Sequence, residues 1–241
     1  MTTVLLTEAK NAARALRRTL RLSPMCGVLR GLRSRGINVA ALDALECFAF
    51  TGGMHTRDYA ASVRSLELWE IHAGHEPTLR AGFPGSVVRI TDTYAEVART
   101  DRRFGFVVVD NSPVHVGHIE HFDLFPNIFR VLEDESVLVL DVIPELNGAV
   151  RRQYPEMFKE ATLDARRRFF NANDPRHLFQ GELLSAYAAL AQQAGFRIAW
   201  SFFRRRNPII TYLVLRLVRV SGGSGPAEVQ PERTTQTRRS N

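Results

Sequence analysis

Five short runs, apolar at nearly every position, set the strongest limit on what this chain can fold into: Ala44–Phe50, Ser65–Ile71, Ser86–Ile90, Phe106–Val109 and Ser136–Leu140. A strand with one face in water alternates apolar and polar residues. A near-continuous run instead marks a strand covered on both faces, the condition of a parallel sheet between helical layers. The gaps contain segments that read as helices, at Glu76–Arg80, Thr93–Arg99 and Ile119–Val131. Strand and helix therefore alternate in the βαβ rhythm of a parallel α/β sheet.

The flanks complete this plan. Leu5, Ala9, Ala12, Ala13, Leu16 and Leu20 recur at helical spacing, with Thr7 as a plausible N-cap, and predict a helix over 7–21. Ser23-Pro24 opens a second helix ending near Gly36. After the fifth run the sequence predicts a helical insert over about 155–170, a break at Asn171–Pro175, and an amphipathic helix over 178–194 closed by Gly195. Two further strands, Phe196–Phe203 and Ile209–Val218, are joined by a linker too short for a helical crossover, so they should pair antiparallel. The expected fold is a Rossmann-like α/β domain with a mostly parallel seven-stranded sheet, a C-terminal antiparallel hairpin and N-terminal helices. The expected division is basic helices over 1–36, the domain over 37–220 with an insert at about 151–195, and a disordered tail over 221–241. That tail is rich in Gly, Ser, Pro, Thr and Arg.

Composition narrows the classes. A chain of 241 residues, 45% hydrophobic and 24% charged, fits one domain of an ordinary globule. No apolar run reaches the roughly eighteen residues that a membrane span needs, and no secretory apolar region opens the chain, so a cytoplasmic protein without membrane association is expected. Cys26 and Cys47 suggest neither a disulfide framework nor a structural zinc site.

The net charge of +7 is uneven. Residues 1–36 hold eight basic side chains (Lys10, Arg14, Arg17, Arg18, Arg21, Arg30, Arg33, Arg35) against Glu8, a net +7, while the region between them and the tail is near neutral. Such a patch could steer RNA, or it could be the solvated face of two helices. Arg204-Arg205-Arg206 reads as a solvated hairpin turn.

Parallel α/β sheets bind ligands beyond the carboxyl ends of their strands. The first run leads into Thr51-Gly52-Gly53, a turn that lets backbone approach a ligand. The second reaches Glu70, followed by Ile71, and its carboxylate could accept two ribose hydroxyls. Asp92 and Thr93 follow the third run, where Asp92 is also a good N-cap. Asp110-Asn111-Ser112-Pro113 ends the fourth. His115, His118 and His121 stand at i, i+3 and i+6. One helix cannot aim all three at one ion, so no metal is expected, whereas His115 or His118 could act as a general base beside the strand end. His72 and His75 read as exposed loop histidines.

Glu46-Cys47-Phe48-Ala49-Phe50-Thr51-Gly52 resembles motif I of the class I S-adenosylmethionine-dependent methyltransferases, an acid followed by three glycines at alternate positions. Glu46 matches the acid and Gly52 the last glycine, while Phe48 and Phe50 stand where the first two glycines would be. Glu70 matches the family's ribose ligand, Asp92 the acid near the adenine amine, and Asp110–Pro113 the segment beside the methyl-transfer site. The resemblance covers roughly residues 40–220. It implies S-adenosylmethionine as cofactor, with contacts from Glu46, Phe48, Thr51, Gly52, Gly53, Glu70, Ile71, Asp92, Thr93 and Asp110. It further implies methyl transfer to an acceptor, a small molecule first and RNA through the N-terminal arginines second, with Asp110, His115 and His118 at the chemistry. A silent binding protein is the alternative. A nicotinamide oxidoreductase is disfavoured, because Gly-x-Gly-x-x-Gly does not follow the first run.

Overall fold

The computed structural model describes residues 23–53, 55–110 and 121–220. The helix expected over 7–21, the tail, His115 and His118 lie outside these residues. Seven strands form one sheet: β1 (Asp43–Cys47), β2 (Ser65–Glu70), β3 (Val87–Ile90), β4 (Phe104–Val109), β5 (Leu132–Val142), β6 (Phe196–Arg205) and β7 (Thr211–Arg219). Their order is β3-β2-β1-β4-β5-β7-β6. The first five are parallel, and β7 runs antiparallel to both β5 and β6. This is the expected Rossmann-like sheet with its terminal hairpin.

The continuous apolar runs are explained by cover on both faces. Leu45, Cys47, Val107, Val109, Leu138 and Leu140 point into one core with Tyr187 and Ala191. Their alternate neighbours Ala44, Phe106, Val108, Val137 and Val139 point into the other, with Met25, Val28 and Leu32. The charge inside β2 is paired: buried Glu67 accepts from Trp69 Nε1 at 2.8 Å and meets Arg89 Nε at 2.7 Å.

Among the described residues the α-helices are α1 (Pro24–Arg33), α2 (Thr56–Tyr59), α3 (Glu76–Gly82), α4 (Thr93–Arg99), α5 (Gly148–Gln153), α6 (Glu160–Phe170) and α7 (Gln180–Gln193). Helix α1 starts at the expected cap, with Ser23 Oγ accepting from Cys26 N at 3.1 Å. It lies close on β6, where a Cβ at Gly31 would meet the Phe202 ring at 2.9 Å. Arg35 stacks over Phe202 with 4.6 Å between the guanidinium carbon and the ring centroid, so at least this basic residue serves packing.

Two expectations need correction. The first strand stops at Cys47 rather than Phe50, because Phe48 and Phe50 turn into the left-handed region, φ 62° and 51°. The helix expected over Ile119–Val131 is, from His121 onward, two 3₁₀ turns, His121–Leu124 and Asn127–Val131. Pro126 between them has no N–H to continue a helix.

The insert follows β5. Helices α5 and α6 enclose a small core of Ile143, Leu146, Val150, Met157 and Leu163 that closes on Ile209 and Ile210, just before β7. Fully buried Arg166 ties it down, donating to the carbonyls of Pro175 (2.7 Å) and Ile143 (2.8 Å).

Candidate functional site

β1 and β4 are parallel neighbours in register at Cys47↔Val109, so the turn after Cys47 and the segment after Val109 leave the sheet side by side. The strand order reverses between them, which is where a doubly wound sheet opens a ligand crevice. β5 ends and β7 begins on the same rim, placing Asp141 and Arg206 there and the insert beside them.

On the β1 side the backbone is left-handed at alternate residues Phe48, Phe50 and Gly52, with φ 62°, 51° and 64°. The turn thus has the backbone of an alternating-glycine loop although two of its three positions carry phenyl rings. A bulky residue held there costs about 1–3 kcal/mol, a strain that concentrates at functional turns. Glycine is required at 52 on a second count: a Cβ would lie 2.1 Å from the Phe83 ring.

Glu70 holds this turn in place. One carboxylate oxygen accepts from Phe50 N at 2.7 Å, and the other from His72 N at 2.8 Å, with His75 Nδ1 3.3 Å away. The side chain is buried, whereas Ile71 and Phe50 beside it are 51% and 44% exposed. The Phe50 ring sits edge-on to His75, centroids 4.5 Å apart, so His75 belongs to this surface. Phe48 leans the other way, onto Tyr94, at 5.4 Å. Asp92 is the N-cap of α4, its Oδ1 accepting from Tyr94 N at 2.9 Å, and Thr93 is buried behind it. Gly52 is buried, with Thr51 and Gly53 partly open.

The β4 side is a buried charge network. Arg206 donates from one nitrogen to Asp110 Oδ1 at 3.0 Å and to Asp141 Oδ2. Its side chain is 8% exposed, so the expected solvated turn is wrong for Arg206, although Arg204 and Arg205 are exposed. His55 Nδ1 pairs with the Tyr212 hydroxyl at 3.0 Å, and its Nε2 faces Glu46 Oε1 at 3.1 Å and Asp110 Oδ2 at 4.0 Å. The Tyr59 hydroxyl donates to Glu46 Oε2. Glu46, His55, Asp110 and Asp141 are at most 5% exposed.

These contacts set the protonation states. Burial opposes ionisation of Asp110, but Arg206 and His55 hold its carboxyl down at about 2. Burial pushes Asp141 well above the usual carboxylate range, and neighbouring Asp110 adds to the rise. Burial disfavours protonated His55, yet Glu46 and Asp110 more than offset that and raise its value.

The rim therefore gathers Glu46, Thr51, Gly52, Gly53, Glu70 and Asp110, with Asp92 and Thr93 beyond the neighbouring β3. His121, the third histidine of the spaced trio, is buried against Tyr187, its Nε2 2.7 Å from the hydroxyl. His55, Tyr59, Asp141, Arg206 and Tyr212 were not anticipated as site residues. The signal for Asp141 was present, since it ends the fifth run as Asp110 ends the fourth. His55 follows the glycine turn by two residues.

No protein-family model matches the chain, and no curated protein matches it in sequence. Solved structures do resemble it. One is a provisionally named sarcosine dimethylglycine methyltransferase from Galdieria sulphuraria, at 14% identity and TM-score 0.50, covering 80% of this chain and 83% of that one. Another is the magnesium protoporphyrin IX methyltransferase ChlM from Synechocystis PCC 6803 with bound SAH, at 14% identity, TM-score 0.49 and 80% of each chain. The strand order and the likeness to the Galdieria structure show the fold: a Rossmann-like, mostly parallel seven-stranded sheet with an antiparallel C-terminal hairpin, shared with that methyltransferase.

Proposed function

We propose that this protein binds S-adenosylmethionine in the crevice between the Phe48–Gly53 turn and Asp110, and transfers its methyl group to an acceptor, first of all a small molecule. One observation carries the reading. Left-handed backbone recurs at 48, 50 and 52, beside a buried carboxylate ending β2, at the switch point of a sheet ordered β3-β2-β1-β4-β5-β7-β6. When bound, the cofactor supplies a sulfonium methyl open to in-line displacement.

The chain's part is to align the reactants and exclude water. Thr51, Gly52 and Gly53 bring backbone close to the methionine end. Each Glu70 oxygen keeps a second lone pair, so it can accept a ribose hydroxyl while retaining its backbone bond. For that His75 turns aside. Phe50 and Ile71 offer the exposed apolar surface on which adenine stacks, with Asp92 and Thr93 at its edge. Phe48 packs on Tyr94 and Glu46 binds Tyr59 and His55, and both line the methionine end of the bound cofactor. Asp110 marks the methyl end, and His115 or His118, a few residues on, serves as the base. A cytoplasmic location belongs to the same reading; among the described residues no helix is long and apolar enough to cross a membrane.

One observation favours a second reading, a silent binding protein: phenyl rings occupy two positions where a glycine would leave room for the cofactor. Calorimetry with S-adenosylmethionine, S-adenosylhomocysteine and NAD tests the proposal. One-to-one binding of the first two and none of NAD is expected. NAD binding alone, or no binding at all, overturns it. Binding without turnover on any acceptor gives the second reading.

A further inference from the structure

We propose that Glu46, His55 and Asp110 form a site for one divalent first-row transition-metal ion. No metal is legible in the sequence, because the three residues come from β1, the segment after the glycine turn and the end of β4, and meet only in the fold.

Three observations carry the proposal. First, one donor atom from each of Glu46, His55 and Asp110 lies within 4.8 Å of the others, and His55 Nε2 is 3.1 Å from Glu46 Oε1 and 4.0 Å from Asp110 Oδ2. An ion with bonds of about 2.0–2.2 Å holds its donors roughly 3.0–4.2 Å apart, so the trio needs at most a small closure.

Second, His55 is 2% exposed and its Nε2 makes no hydrogen bond of acceptable geometry, although it points into this cluster. Its neighbours there are two carboxylates, Glu46 Oε1 at 3.1 Å and Asp110 Oδ2 at 4.0 Å, and a metal ion bonded to all three would replace these ionic contacts.

Third, each ligand is held from behind by a different group. His55 Nδ1 pairs with the Tyr212 hydroxyl, Glu46 Oε2 accepts from Tyr59, and Asp110 Oδ1 accepts from Arg206. Such outer partners fix ligand orientation in metal sites.

Charge agrees with this assignment. Arg206 lies on the far side of Asp110, bridging it to Asp141, and leaves Oδ2 toward the trio. The two carboxylates of the trio face a single guanidinium, Arg206, so with His55 neutral they carry a net negative charge that a cation offsets. One imidazole among carboxylates suits zinc, manganese or iron better than magnesium.

The test uses the full chain, stripped with chelator, and zinc alone. One equivalent binds, and Glu46→Gln and His55→Gln each weaken binding at least tenfold. X-ray absorption of the wild-type chain with one equivalent of zinc shows a single imidazole with oxygen donors. No binding at millimolar zinc, affinity unchanged in both variants, or two or more imidazoles in the spectrum overturns the proposal. If a variant fails to fold, the wild-type spectrum decides alone. The experiment contains no S-adenosylmethionine, so its outcome is separate from that of the methyltransferase reading.

Discussion

The two banks of the crevice are built by opposite means. On the β1 bank, backbone in an unusual conformation is held by Glu70 and faces exposed Phe50 and Ile71. On the β4 bank, Arg206, Asp110, Asp141, His55 and Glu46 are withdrawn from water and neutralise one another. The first is open and apolar, suited to a flat ring system. The second is rigid and charged, and breaks if one partner is removed. Substitutions should therefore cost far more on the β4 bank than at exposed positions of the β1 bank.

The largest effect is expected at Arg206. Arg206→Met leaves two buried carboxylates without their cation and should destabilise the fold by about 3–5 kcal/mol in urea denaturation. A loss below about 1 kcal/mol would make the β4 bank no more tightly coupled than a surface.

Gly52→Ala comes next. It places a methyl against Phe83 in a residue with φ 64°, and a loss of about 2–3 kcal/mol is expected by the same measurement.

The third prediction calibrates burial away from both banks. Burial pushes His121 down to about 3. The unfolded chain, with an ordinary imidazole near 6.5, binds a proton that the folded chain refuses. Stability from this group is therefore complete above pH 6.5 and is lost as pH falls from about 6.5 to 3, by up to about 1.4 kcal/mol per pH unit. His121→Phe should remove that component from the difference between stability curves at pH 7 and pH 5. An unchanged slope would mean that His121 does not titrate this way.

The smallest effect is expected at Phe50. Phe50→Asn trades an exposed ring for a residue that tolerates the left-handed region, and should change stability by less than about 1 kcal/mol. A loss as large as that at Arg206 would erase the contrast between the banks.

The contrast also explains what the sequence revealed. The sheet was legible because burial on both faces leaves a continuous apolar run, and the linker of Arg204–Pro208 forces an antiparallel pair. Glu70 and Asp110 stand out as candidates because a polar residue at the end of such a run has few structural reasons to be there, and Glu46 stands out by its match to the acid of motif I. The turn after Cys47 reads as strand in the sequence because phenylalanine has high strand preference, and only its neighbours in the fold hold φ positive. The β4 bank was nearly invisible. Arg206 meets Asp110 across 96 positions and Asp141 across 65, and a run of three arginines gives no local sign that its last member is buried.

On the proposed function, the Phe48–Gly53 turn and the end of β2 form the cofactor bank. Hydrogen–deuterium exchange of the full chain, with and without S-adenosylhomocysteine, tests it most directly. Ligand binding should bring new protection at Phe48–Gly53 and Glu70–His75, with smaller protection at Asp92–Tyr94. Protection confined to other segments, or none at saturating ligand, would contradict it.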